Sequence, residues 1–300
     1  MGHQKAALEI FTKLYTPQSA MQTATGRMIF WWYARYDVFI GIMGGFQTAL
    51  ARSWFTTSVE YCQAKAVEHP SELRWKYEEN SAQLRLISMD MSILIHKENR
   101  GQITPELFSD EHQFIEKRLI DWRNNWDPAL TNPSYFVTDF PNARPLSVDD
   151  IVDPFAPNVL YHEPLFPTTM LTAEWNSIMT MHKCQSSTTD RMQLFGDLAR
   201  HAFGICQIFE AVENWPHSPK GCLIMIQACI AIGALFLPQD DRHRMWSRRK
   251  FALLETKGYV KSALSFPMHT DAGSVTPNYT CCRPLSSSRS LVWWTMMAPN

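Results

Sequence analysis

Residues 27–54 read RMIFWWYARYDVFIGIMGGFQTALARSW, an aromatic and aliphatic run that carries Arg35 and Asp37 and is then cut by Gly41, Gly44 and Gly45. An isolated charge inside such a run costs several kcal/mol, roughly, unless it is paired or reaches water. The stretch therefore predicts a buried helix with Arg35 and Asp37 as a structural ion pair. It holds no nucleophile, no set of metal ligands and no phosphate loop.

Outward from this block, apolar residues recur at helical spacing. Leu84, Ile87, Met91 and Leu94 follow the three-and-four rhythm, as do Phe108, Ile115, Leu119 and Trp122. A third series is Leu194, Leu198, Ala202, Ile205, Phe209 and Val212. Thr25, Ser71 and Thr104 with Pro105 serve as helix starts, and Asp240 or Asp241 caps a last helix that Gly258 closes. Short alternating runs are scarce, so the expected class is all-α. One domain is expected over residues 1–261, with helices over about 25–125 and 173–260. Between them, residues 126–172 hold eight of the chain's eighteen prolines together with many aromatics, which predicts an ordered connector. From about residue 262 to 300 the chain is Ser/Thr/Pro-rich without a period and reads as a divergent, disordered tail.

Composition narrows the function classes. With 45% hydrophobic residues and 19% charged, the chain has ample material for a core. Its formal net charge of −1 supplies no basic field for holding nucleic acid. Seven cysteines, an odd number without a C-x-x-C pair, read as thiols in a reducing compartment. Residues 221–239 carry no charge and approach the length of a membrane span, but Gln227, two glycines and Pro238 favour a core helix. No membrane association is expected.

Several constellations invite chemistry. Asp149, Asp150 and Asp153 match the D-D-x-x-D pattern by which some all-α prenyl diphosphate enzymes hold magnesium on one helix face. Pro154 follows at once and disfavours helical geometry at Asp153, so the carboxylates read as loop residues. Cys222 and Cys229 lie seven apart, but in the most apolar segment and without companion ligands, and read as core thiols. His182 with Cys184, or His201 with Cys206, can be drawn as a thiol–imidazole pair, although nothing local activates either thiol. Residues 242–250, RHRMWSRRK, form the one basic cluster, read first as a solvated helix face. No G-x-S-x-G, P-loop, G-x-G-x-x-G or H-E-x-x-H occurs. No catalytic residue, metal or cofactor is assigned.

The opening block resembles the regulatory domain of fungal zinc-binuclear-cluster transcription factors. Further stretches agree in order: Arg85-Leu-Ile-Ser-Met-Asp90, Tyr135-Phe-Val-Thr-Asp-Phe140, Asp149-Asp-Ile-Val-Asp-Pro154 and His182-Lys-Cys-Gln185. Gln207-Ile-Phe-Glu-Ala-Val-Glu213 with Trp215-Pro216, Leu235-Phe-Leu-Pro238 and Trp246-Ser-Arg-Arg-Lys-Phe251 complete the series. The resemblance spans about residues 20–260. It implies a non-enzymatic, nuclear, all-α regulatory domain that answers to a small-molecule effector or to coregulators, or pairs with full-length family members. The family's cysteine-rich DNA-binding module is not in this sequence, so direct DNA contact does not carry over. The alternative is an all-α metal-dependent enzyme on prenyl diphosphates using Asp149, Asp150 and Asp153.

Overall fold

A computed structural model describes residues 2–186 and 190–258, and the tail reading for 262–300 lies outside them. The described residues are helical, without a β-strand, and an isolated bridge joins Phe136 to Tyr161. The all-α class is as expected. The chain forms two compact units, the first through Leu130 and the second from Thr131.

Unit 1 contains α1 (Gly2–Leu14), α2 (Pro17–Gln22), α3 (Ala24–Gly44), α4 (Arg52–Glu68), α5 (Leu73–Asn99) and α6 (Pro105–Asn124). The centre of the unit is α5, packed against α3, α4 and α6. Leu84, Ile87, Met91 and Leu94 all face its core, and so do Phe108, Ile115, Leu119 and Trp122 of α6. At the start of α6, Thr104 accepts the N–H of Leu107 and Pro105 occupies the first turn. Two helix starts fall elsewhere than expected. Thr23, not Thr25, caps α3 by accepting the Gly26 N–H, and α5 begins after Glu72 rather than at Ser71. Neither α1 nor α2 is anticipated by the sequence reading, which begins its helices near residue 25.

The helix over the opening block is amphipathic rather than buried throughout. Phe30, Tyr33, Ala34, Asp37, Val38 and Ile42 are buried, while Trp32 is 66% exposed and stacks on Tyr36 at 6.1 Å. Gly41 permits close approach to α5, since a Cβ there would lie 3.2 Å from that of Ser92. Gly45 ends the helix in the left-handed region (φ 67°), where glycine has no Cβ penalty.

Asp37 is 1% exposed, and its two oxygens accept the backbone N–H groups of Ala49 and Leu50, each at 2.9 Å. Arg35 lies two positions away, about 200° around the helix axis, with its guanidinium 5.8 Å from the Phe39 ring centre. The burial of Asp37 therefore does not rest on Arg35 alone: the carboxylate also organises the turn that leads from α3 into α4.

A second buried charge, not singled out from the sequence, ties α3 and α4 to α5. Arg27 donates to the Met21 carbonyl (2.7 Å) and the Tyr61 hydroxyl (3.2 Å), and its guanidinium lies 5.4 and 5.5 Å from the ring centres of Tyr61 and Trp75, which meet each other edge-on at 6.0 Å. Its Nε is 3.9 Å from Glu78, which also accepts from Arg74 Nε at 2.6 Å. Burial still raises the Glu78 carboxyl above its ordinary pKa, against the pull of Arg74 and Arg27.

Unit 2 contains α7 (Phe166–Lys183), α8 (Arg191–Asn214), α9 (Leu223–Leu235) and α10 (Asp241–Thr256). Helices α7, α8 and α9 pack on one another, and α10 packs on α9. Helix α7 starts seven residues before the expected Ala173, because Pro167 sits in its first turn, where a missing N–H costs nothing. In the uncharged segment, α9 starts at Leu223 rather than at Ser218-Pro219, which form part of a turn. Its Ile226, Cys229, Ile230, Ile232 and Gly233 are buried. Among the described residues no helix is long and apolar enough to cross a membrane.

Replacing Asp37 by Ala leaves the Ala49 and Leu50 amides without their acceptor. The Leu50 amide is buried while Ala49 is exposed, so at roughly 1–3 kcal/mol for an unsatisfied buried group the expected loss is about 1–3 kcal/mol in urea denaturation. Asp37→Asn keeps one acceptor oxygen and loses less. An unchanged denaturation midpoint for Asp37→Ala refutes the anchoring role.

Candidate functional site

Four stretches marked by the resemblance, residues 135–140, 149–154, 207–216 and 246–251, meet in unit 2 around the connector, α8 and α10. The connector is ordered. The Val137 N–H donates to the Leu160 carbonyl at 2.8 Å and the His162 N–H to the Tyr135 carbonyl at 2.9 Å, and the rings of Phe136 and Tyr161 stack at 4.1 Å. Phe140 then packs edge-on against Phe155 and against Trp215, just beyond α8.

The three aspartates of the D-D-x-x-D run do not share a helix face, because residues 145–157 are turns and extended chain. Asp150 forms a two-point pair with Arg144 (2.7 and 2.9 Å) and accepts the Ser147 N–H at 2.7 Å. Arg144 and Ser147 hold its carboxyl well below the usual carboxylate range. Asp153 accepts the Phe155 N–H at 2.9 Å, closing an Asx turn. Asp149 is exposed and pairs with Arg249 at 3.2 Å. The prenyl diphosphate reading needs carboxylates projected together from one helix. Here they are spent on an arginine fork, a turn and a surface ion pair.

The basic run 242–250 is not simply a solvated face. Arg242 donates to the Asp150 carbonyl, and Arg249 donates to the Asp149 carbonyl at 3.1 Å. On the α8 side, Gln207 donates to the Asp153 carbonyl. The connector is thus held through its backbone by side chains of two helices.

Beneath these contacts lies Glu210, 2% exposed. Oε1 accepts the Trp246 indole N–H at 2.6 Å, and Oε2 accepts Lys250 Nζ at 2.8 Å and Asn214 Nδ2 at 3.2 Å. Lys250 also reaches Glu213 at 2.8 Å and lies near the faces of Phe209 and Trp246. Apart from Asn214, these residues stand in the motif strings, but the strings do not pair them. The usable signal is the helical register, which stacks Glu210, Glu213 and Asn214 on α8 and Trp246 with Lys250 on α10.

Of the cysteines in these constellations, Cys206, Cys222 and Cys229 are buried and Cys184 is half-buried. Burial, with the Glu210 charge adding to it, pushes the Cys206 thiol above the ordinary range, which keeps it protonated. His201 Nδ1 is 2.8 Å from Asn176 Oδ1, and five residues along one helix set His201 and Cys206 on different faces. Cys184 donates to the Met181 carbonyl at 3.1 Å. Cys222 and Cys229 are both buried, Cys222 at the start of α9 and Cys229 within it. In unit 1, burial and Glu78 push the Cys62 thiol up to about 12.

Two measurements test this network. Trp246→Phe preserves the ring and deletes the indole N–H, and is expected to cost about 1.5–3 kcal/mol, the worth of a hydrogen bond to a charged group. A urea midpoint equal to that of the unaltered protein overturns the assignment. The Asp150 pair follows the sign for a depressed acid. Its contribution is complete above the unfolded carboxyl pKa of about 3.9, and falls away only as pH drops below that value toward the lower folded pKa. Hydrogen exchange at the Ser147 amide, corrected for intrinsic rate, should stay as protected at about pH 4 as at neutral pH. Loss of protection at mildly acidic pH refutes it.

Comparison of the chain with protein-family models, with curated proteins and with solved structures finds no match.

Proposed function

We propose that this chain is the regulatory domain of a fungal transcription regulator. In this reading it acts in the nucleus through coregulators or full-length family members, answers to a small-molecule effector, and makes no DNA contact of its own. The reading is not enzymatic and assigns no cofactor.

The observation that supports it most is the meeting of separate motif stretches. The Asp149–Pro154 stretch is held by Arg242 and by Arg249 of the Trp246–Phe251 stretch. The Gln207–Glu213 stretch supplies Glu210 to Trp246 and Lys250 of that same stretch. Phe140, from the Tyr135–Phe140 stretch, packs on Trp215. Residues that carry the resemblance thus depend on one another physically, as parts of one built element do. An all-α unit of this kind can serve as a two-state element, which a ligand biases only through differential affinity for the two states.

The test is a reporter assay in a fungal cell. The chain is fused behind a zinc-cluster DNA-binding module taken from another regulator, and transcription is compared with that of the module alone. The fusion is expected to change reporter output severalfold, and Trp246→Ala with Arg249→Ala is expected to alter that change at equal protein level. Output identical to the bare module, with and without the substitutions, refutes the proposal.

A further inference from the structure

An open groove of about 370 Å³ runs across unit 1 between α4, α5 and α6. Its volume lies within the range of small-molecule sites, about 300–1,000 Å³. Leu86, Ile87 and Trp122 provide apolar surface, and the polar lining comes from Gln63, Asn80, Gln83, Asn125, Arg118 and Asp121.

The charges in this groove are separated. Arg118 and Asp121 are three residues apart on α6, the spacing at which opposite charges ordinarily meet. Here Arg118 is drawn away: its Nη1 donates to Asp90 Oδ2 at 2.8 Å, and its guanidinium lies 5.7 Å from the Phe114 ring centre. Asp90 is also shared with Arg52, whose Nε is 3.1 Å from it, so two guanidinium groups compete for one carboxylate. Two cations thus share one carboxylate beside the groove, and Arg118 has donors to spare. Among the described residues, the Asp121 carboxylate of the same lining stands without an ion-pair partner.

The carboxamides are oriented by their neighbours. Asn80 Nδ2 donates to the Lys76 carbonyl at 3.2 Å, and Gln83 Nε2 donates to Glu79 Oε1 at 3.0 Å. Both amides spend a donor on the protein and keep Oδ1 and Oε1 as acceptors. Together with Asp121 this makes three acceptors, the number of N–H bonds in an ammonium group. Trp122 is fixed beneath them by its own indole bond to the Asn80 carbonyl at 2.9 Å.

We propose that this groove binds a zwitterion of the free amino acid type. The carboxylate is taken by Arg118, the ammonium by Asp121 with Asn80 and Gln83, and a neutral side chain lies against Leu86, Ile87 and Trp122. The proposal goes beyond the regulatory reading and does not rest on it, because binding is measured on the isolated chain and transcription is not.

The full chain is titrated with L-leucine, L-methionine and L-glutamine while the side-chain amide resonances of Gln63, Asn80, Gln83 and Asn125 are followed by NMR. At least one of the three is expected to shift these resonances saturably. Isocaproate and isoamylamine, which are leucine without its ammonium and without its carboxylate, are expected to bind about tenfold or more weakly, as the loss of one charge-assisted hydrogen-bond set implies. Asp121→Asn, at an exposed position, should leave the melting temperature unchanged. It should reduce amino acid binding while leaving the weak binding of isocaproate as it was. Absence of saturation by all three amino acids, equal binding of either truncated probe, or undiminished binding by Asp121→Asn overturns the proposal.

Discussion

Unit 2 depends on Glu210. A carboxylate removed from water loses several kcal/mol of hydration, roughly, unless the protein replaces that shell with hydrogen bonds. Here an indole N–H, an ammonium and a carboxamide supply the replacement. Two of the three donors come from α10, so the helix cannot leave without stranding the charge. Once α10 is fixed, its outward arginines stand where they reach the connector backbone. The exposed pairs, such as Arg249 with Asp149, add little energy of their own. They act as guides whose position is set by the buried interaction below.

Unit 1 solves the same problem twice. Asp37 is satisfied by two amides of a turn, and Glu78 by Arg74 with Arg27 close by. In both cases the buried acid bridges parts of the chain that apolar packing alone would leave free to slide. Hydrophobic burial is non-directional. The hydrogen-bonded charges specify which residues meet. Arg27, beside the rings of Tyr61 and Trp75, is directional for a further reason: its planar guanidinium holds its donors in a fixed fork, which here meets the Met21 carbonyl and the Tyr61 hydroxyl.

The helical periodicities were legible because each records a single buried face, and every residue in the three apolar series is buried. Caps were legible where the side chain performs the capping, as Thr104 and Asp240 do. The start of α7 was obscured because Pro167 is compatible both with a connector and with a first helical turn. The pairing of Glu210 with Trp246 and Lys250 could not be read, since residues thirty-six and forty positions apart meet only through tertiary packing. Charge inside the opening block correctly marked a buried acid. What the string could not show is that backbone amides of Ala49 and Leu50 take both its oxygens.

The same reasoning separates charges that build the fold from charges left over for recognition. Glu210 is buried and satisfied, so any ligand competing for it would have to break the unit. Arg118 and Asp121 are in the opposite situation. They stand at the spacing that normally lets them neutralise each other, and Asp90 prevents it by holding Arg118 back. Asp90 also serves Arg52, so two cations share one carboxylate and positive charge is left over. Charge left unmatched at a surface costs little in water, which is why the arrangement is tolerated. It becomes useful only to a partner that brings both signs of charge at a matching separation.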